Sequence, residues 1–245
     1  MNGAGKSTLL KIITGLLLPS SGIVIKHSNP LHIGYVPERF PNLLRFTPLE
    51  YLTYMGRIQG VPVIELEKRI PILLDRLALR HAKDKRIDTF SKGMVQKIGI
   101  IQSILRKPDL LVLDEPLSGL DIQTQIELVQ IMTEFKDEGI TIILTYHESD
   151  MLLKIAERIV ILGEGSIKRD YHIKDIDKPR MVIVTSGISE QLIHTFKGIL
   201  RVSRKGKMLQ AHALQEKSDH ILLEILKNGG KIHSVGLHDP LNQLI

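Results

Sequence analysis

There is no cysteine and no tryptophan among the 245 residues, and aromatic residues make up only 4% of them. The first absence excludes a disulfide framework and any thiolate metal site, and it suits a reducing compartment. The second leaves little surface on which unpaired bases could stack, so no nucleic-acid partner is expected. No apolar run approaches the roughly 18 residues that a bilayer span needs, nor does the N-terminal stretch read as a charged-then-apolar leader. The chain by itself is therefore expected to be soluble and cytoplasmic.

With 43% hydrophobic residues there is enough apolar side chain for a sizeable core, and the length suggests one large domain and a smaller one. The net charge of +6 is uneven: residues 178–245 hold 10 Lys/Arg against 5 Asp/Glu, a surplus of five. The plain reading of that surplus is a solvated basic face; contact with an anionic membrane surface or an acidic partner is the alternative.

The first eight residues, Met1-Asn2-Gly3-Ala4-Gly5-Lys6-Ser7-Thr8, contain most of the phosphate-loop pattern G-x-x-x-x-G-K-[ST]. Gly5 is its second glycine, and the first would fall one position before Met1. Gly3 and Gly5 allow backbone N–H groups to turn toward a polyphosphate, Lys6 supplies a point charge, and Ser7 can ligate Mg2+. Asn2, Ala4 and Thr8 complete the candidate nucleotide loop. Apolar residues at Leu9, Leu10, Ile12, Ile13, Leu16 and Leu17 predict a helix over 7–18, ended by Pro19-Ser20-Ser21-Gly22.

Short strands are expected at 22–25 and 33–36, then a mostly helical stretch over 46–87. Ser91 is placed as the N-cap of a helix running to about 106. Two continuous apolar runs, 110–113 and 141–144, separated by a helical stretch, read as buried parallel strands in βαβ order. The first ends in Asp114-Glu115. Such a pair after a buried strand places one acid near Mg2+ and the next beside an attacking water. A strand at 158–162 and a hairpin-like Gly163-Glu164-Gly165 close the large domain near 168. Residues 169–180 read as a linker. Beyond it the order β-α-β-β-α-β over 181–245 predicts a ferredoxin-like module, with Gly229-Gly230 ending its second helix.

On these residues the chain resembles the nucleotide-binding subunit of an ATP-binding-cassette transporter over 1–168. Phe90-Ser91-Lys92-Gly93-Met94 stands where that family has its Leu-Ser-Gly-Gly-Gln signature. Ser118-Gly119-Leu120-Asp121 matches its D-loop, His147 its switch histidine, and Glu38 its Q-loop glutamine. The resemblance implies an α/β P-loop NTPase core with a helical subdomain at about 46–106, followed by the small α+β ferredoxin-like module. It implies ATP and Mg2+ as cofactors. Glu115 and His147 would be catalytic, residues 2–8, Glu38 and Asp114 would bind nucleotide, and Ser7, Glu38 and Asp114 would hold the metal.

It further implies that Ser91, Lys92, Gly93 and Met94 meet a nucleotide held by a second cassette, identical or different, and that Asp121 couples the two sites. A transmembrane permease subunit would dock on the helical subdomain and hold the protein at the inner face of the membrane. Lys92 and Met94 replace a glycine and the glutamine of the signature. Those variants and Glu38 look like bacterial exporters whose ATPase and membrane subunits are separate chains. The family has a strand and an adenine-stacking aromatic before the loop, so the N-terminal strands are expected to be missing. A truncated cassette that binds nucleotide weakly or modulates an intact partner is the alternative, and a soluble cassette protein of translation or DNA repair is a third.

Overall fold

Three short parallel strands carry the first part of the protein. They are β1 (Ile33–Val36), β2 (Leu110–Leu113) and β3 (Thr141–Leu144), hydrogen-bonded in that order. A computed structural model of the chain describes residues 3–27, 30–41, 45–146, 152, 155–175 and 180–238. The chain divides into two compact units, residues 1–156 with 162–168 and residues 157–161 with 169–245.

In the sheet Val36 pairs with Leu113, and Leu113 with Leu144, so all three strands end level. Leu111, Val112 and Leu113 are fully buried, as a central parallel strand covered on both faces requires. The crossovers supply the cover. Helix α1 spans Lys6–Thr14, and α2 (Pro48–Ile58) and α3 (Val63–Arg76) form the helical region. Helix α4 (Lys92–Ile104) precedes β2, and α5 (Ile122–Asp137) joins β2 to β3.

Helix α2 starts where Pro48 follows a reciprocal cap. The Glu50 amide donates to Thr47 Oγ1, while the Thr47 amide donates to Glu50 Oε2. In α3, Leu66, Ile70, Leu73 and Leu74 fall on one face and are buried. Helix α4 differs, because every residue from Val95 to Ile101 is buried. Gly99 allows this: a side chain there would meet the ring of Phe40 at 2.8 Å.

Two expectations for the N-terminal stretch fail. Helix α1 stops at Thr14 rather than running to 18, because Gly15 takes the left-handed conformation (φ 79°) that ends a helix. No strand forms at 22–25. Ile23, Val24 and Ile25 are exposed, and among the described residues none of the strands lies alongside them to complete a ladder.

Strands β4 (Arg158–Gly163) and β5 (Ser166–His172) form the hairpin, with both turn residues, Glu164 and Gly165, at positive φ as a two-residue turn of this hand demands. The expected linker at 169–180 therefore opens on strand residues: Arg169 to His172 belong to β5, and Asp170 pairs with Arg158. Residues 176–179 lie outside the described set.

The second unit has β6 (Arg180–Ser186), α6 (Glu190–His194), β7 (Ile199–Lys205), β8 (Met208–Leu214), α7 (Ser218–Lys227) and β9 (Lys231–His238). Its antiparallel sheet runs β7-β8-β6-β9, the ferredoxin-like order that the sequence predicts. Alternate residues Leu209, Ala211 and Ala213 of β8 join Ile183, Ile193, Ile221 and Ile225 in one apolar cluster.

Candidate functional site

The level ends of β1, β2 and β3 gather polar residues at one edge of the sheet, which in an open parallel sheet is where ligands bind. Two residues past β1 stands Glu38, exposed on a bend. Directly past β2 come Asp114 and Glu115, and past β3 comes Thr145. Asp114 is 3% exposed, a carboxylate that needs a partner. The Thr145 hydroxyl donates to its Oδ1 at 2.6 Å and accepts the Glu115 amide at 2.9 Å. The Asp114 amide donates to the Val36 carbonyl at 2.9 Å, and the Thr145 amide to that of Leu113 at 3.0 Å.

Glu115 has φ 47°, a left-handed conformation that costs a non-glycine residue on the order of 1–3 kcal/mol. The bond to Thr145 and that from the Ser118 amide to the Glu115 carbonyl (3.1 Å) hold it there. The twist turns the chain out of the strand so that the two acids do not follow its alternation. Burial, and behind it the charge of Asp114, raises the Tyr35 phenol above its ordinary pKa.

Thr145 is the residue the sequence did not single out. Its only local sign is a hydroxyl closing an apolar run. Thr145→Val removes both bonds and leaves the Asp114 oxygen and the Glu115 amide unmatched, at about 1–3 kcal/mol for a buried group. The urea unfolding midpoint is expected to fall accordingly, with Thr145→Ser close to wild type; an unchanged midpoint for valine would show that the bridge carries nothing.

In the glycine loop the structure describes residues 3–8. Gly3 (φ 80°) and Gly5 (φ 91°) are left-handed, and Gly5 caps α1 with no side-chain acceptor and no acid in the first turn. The positive end of the α1 dipole thus has no acid in the first turn to offset it. Ala4 is buried, Lys6 and Ser7 half-buried, and Thr8 exposed. The loop is not part of the main apolar cluster that contains Leu111 and Leu113. Asn2 and His147 lie outside the described residues.

A second group of predicted residues meets where α4 and α5 begin. Ser91 caps α4, its Oγ accepting the Met94 amide at 3.3 Å. Gly93 is buried against Thr124, where a side chain would come to 2.7 Å. Asp121 caps α5, accepting from the Thr124 amide (2.9 Å) and hydroxyl (2.7 Å). Those two bonds hold its carboxyl below the usual range, so the cap is present at neutral pH and is lost only as the pH falls through that lowered value. The Asp121 carboxylate is thus engaged within its own chain. Gln125, also not foreseen, donates to the Leu120 carbonyl at 3.0 Å and steadies the loop containing Ser118, Gly119 and Leu120.

Among the described residues no three acidic or histidine side chains gather to hold a metal. Mg2+ does not require such a cluster, since it keeps several waters and takes one or two carboxylates along with nucleotide phosphates. Asp114 is a donor of that kind, and Ser7 offers a hydroxyl.

A family model described as "ABC transporter" matches residues 1–118. The uncharacterized ABC transporter ATP-binding protein YhaQ of Bacillus subtilis (strain 168) is 27% identical over 248 residues, covering 98% of this chain and 83% of that protein. The zinc import ATP-binding protein ZnuC of Psychrobacter cryohalolentis is 35% identical over 166 residues, 66% of either chain. A solved structure, "Structure of ATP binding subunit of ABC transporter", superposes with a TM-score of 0.64 at 32% identity, covering 71% of this chain and 77% of that one.

Proposed function

The chain belongs to the ABC transporter family as an ATP-binding subunit, and from that premise we propose how its own residues bind and hydrolyse ATP to drive export. The observation that carries the reading is the Asp114–Glu115 pair, fixed by Thr145 at the level ends of three parallel strands. Asp114, Ser7 and Glu38 would hold Mg2+, which when bound would neutralise phosphate charge. Gly3 to Thr8 wrap the phosphates with backbone amides and the Lys6 ammonium. Glu115 accepts a proton from the attacking water, and His147 senses the terminal phosphate.

Ser91 and Gly93, at the start of α4, face the nucleotide of a second cassette, so hydrolysis requires a dimer. The transmembrane permease docks on the helical region, where apolar side chains stand uncovered: Phe46, Leu49, Tyr54, Ile58 and Ile64, with Ile64 72% exposed. Patches of this kind mark protein–protein contacts. No described helix is long and apolar enough to cross a membrane, so this docking is what would place the protein at the inner membrane face. Export is supported by Glu38, Lys92 and Met94, which resemble separate-chain exporters, whereas the likeness to ZnuC supports import.

Any multi-span membrane protein encoded beside the gene is the partner to test. Tyr54→Glu with Ile58→Glu is expected to abolish its co-purification with the permease while ATP binding persists. Undiminished co-purification would move the docking surface elsewhere. Direction has its own readout in a strain lacking the gene: export gives hypersensitivity to a toxic compound, and import gives a growth requirement cured by excess nutrient.

A further inference from the structure

Helix α4 begins with a cation, Lys92, where the partial positive charge of a helix N-terminus disfavours one. No acid lies in its first turn to offset it. The Lys92 ammonium instead donates to the Ser118 carbonyl at 2.6 Å, across 26 residues of sequence. It lies directly over Gly119: a side chain built on that glycine would come within 2.6 Å of Nζ. Gly119 is itself left-handed (φ 64°), the backbone conformation that favours glycine there.

Two further contacts join the same pair of helices. Gly93 rests on Thr124 of α5, and deeper along the interface the Lys97 ammonium, on a side chain 8% exposed, pairs with Glu127 at 2.7 Å. These two bind helix to helix. Lys92 reaches instead from α4 to the backbone of the loop before α5, and it does so from the position where the signature has a glycine.

We propose that Lys92 is a positioning residue: its bond to Ser118 fastens the loop 118–121 to the first turn of α4, so that the two segments move as one piece. The consequence for catalysis rests on the proposed function, in which both segments meet the partner cassette. A displacement of the loop on one subunit is then passed to the signature turn of the same subunit without relay through the core. The competing view is an exposed lysine with a solvated ammonium, since exposed contacts of this kind often contribute nothing measurable.

Amide exchange separates the two without using ATP. The reporters are the Ser118 and Leu120 amides, bonded to the Glu115 and Leu117 carbonyls at 3.1 and 3.3 Å. In Lys92→Ala they are expected to exchange about two- to tenfold faster, the factor for losing one modest hydrogen bond, while amides in the middle of α5 stay unchanged. Lys92→Arg, which still donates to a carbonyl, is expected to restore slow exchange. Equal exchange in wild type and Lys92→Ala would overturn the proposal.

In turnover assays Lys92→Ala is expected to lower kcat several-fold and Lys92→Arg to restore it. Altered exchange in a protein that never hydrolyses ATP would leave the tether standing and remove the ATPase reading; normal exchange beside normal turnover does the reverse.

Discussion

Glu115→Gln is expected to reduce ATP turnover by about 10²–10⁴-fold, the range for losing a positioned general base, while Mg-ATP still binds. The glutamine keeps the size of the side chain and can keep the left-handed backbone, because that conformation is held through the Glu115 amide and carbonyl rather than its carboxylate. Asp114 and its bond to Thr145 are untouched. Only proton acceptance is removed. Trapped nucleotide should therefore accumulate, and with it the dimer that ATP closes. Size-exclusion chromatography with ATP reads the dimer, and turnover within a factor of a few of wild type would remove Glu115 as the base.

The second large effect falls on binding. Lys6→Ala is expected to weaken ATP affinity roughly ten- to hundredfold, since a hydrogen bond to a charged group contributes about 1.5–3 kcal/mol. The substitution leaves Gly5 and its left-handed turn in place, and alanine at the first helical position does not break α1. Lys11 serves as the control. It lies in the last turn of the same helix, where its charge complements the dipole at the far end from the loop. Lys11→Ala should leave affinity unchanged by calorimetry; equal losses in the two variants would mean that general charge, not the loop, attracts the nucleotide.

Much of this architecture is legible in sequence because the signals are local. The run Leu110 to Leu113 declares a buried strand by composition, and the two acids after it declare its end. The β-α-β-β-α-β order of the C-terminal unit follows from alternating patterns, and the sheet order β7-β8-β6-β9 is the one it implies. Ser91 is a cap by residue type and proves to be one by geometry.

What the sequence does not disclose is which side chains close distances across the fold. Thr145 is 30 residues from Glu115 and 31 from Asp114, and nothing in its surroundings marks it as their bridge. Lys92 reads as a substitution within the signature, and only its contact with Ser118 makes it a link between two loops. Local pattern also misleads at Ile23 to Ile25. Those residues have strand propensity, yet a strand needs a neighbour to bond with, and propensity carries no information about one.

Hydrolysis of ATP through Glu115 is tested most directly by phosphate release from the purified protein, measured with and without Mg2+ beside Glu115→Gln. Release that requires Mg2+ in the wild type and vanishes in the variant, with both proteins still binding ATP, is the expected result. Release that persists in Glu115→Gln, or nucleotide binding without any Mg2+-dependent release in the wild type, would contradict it.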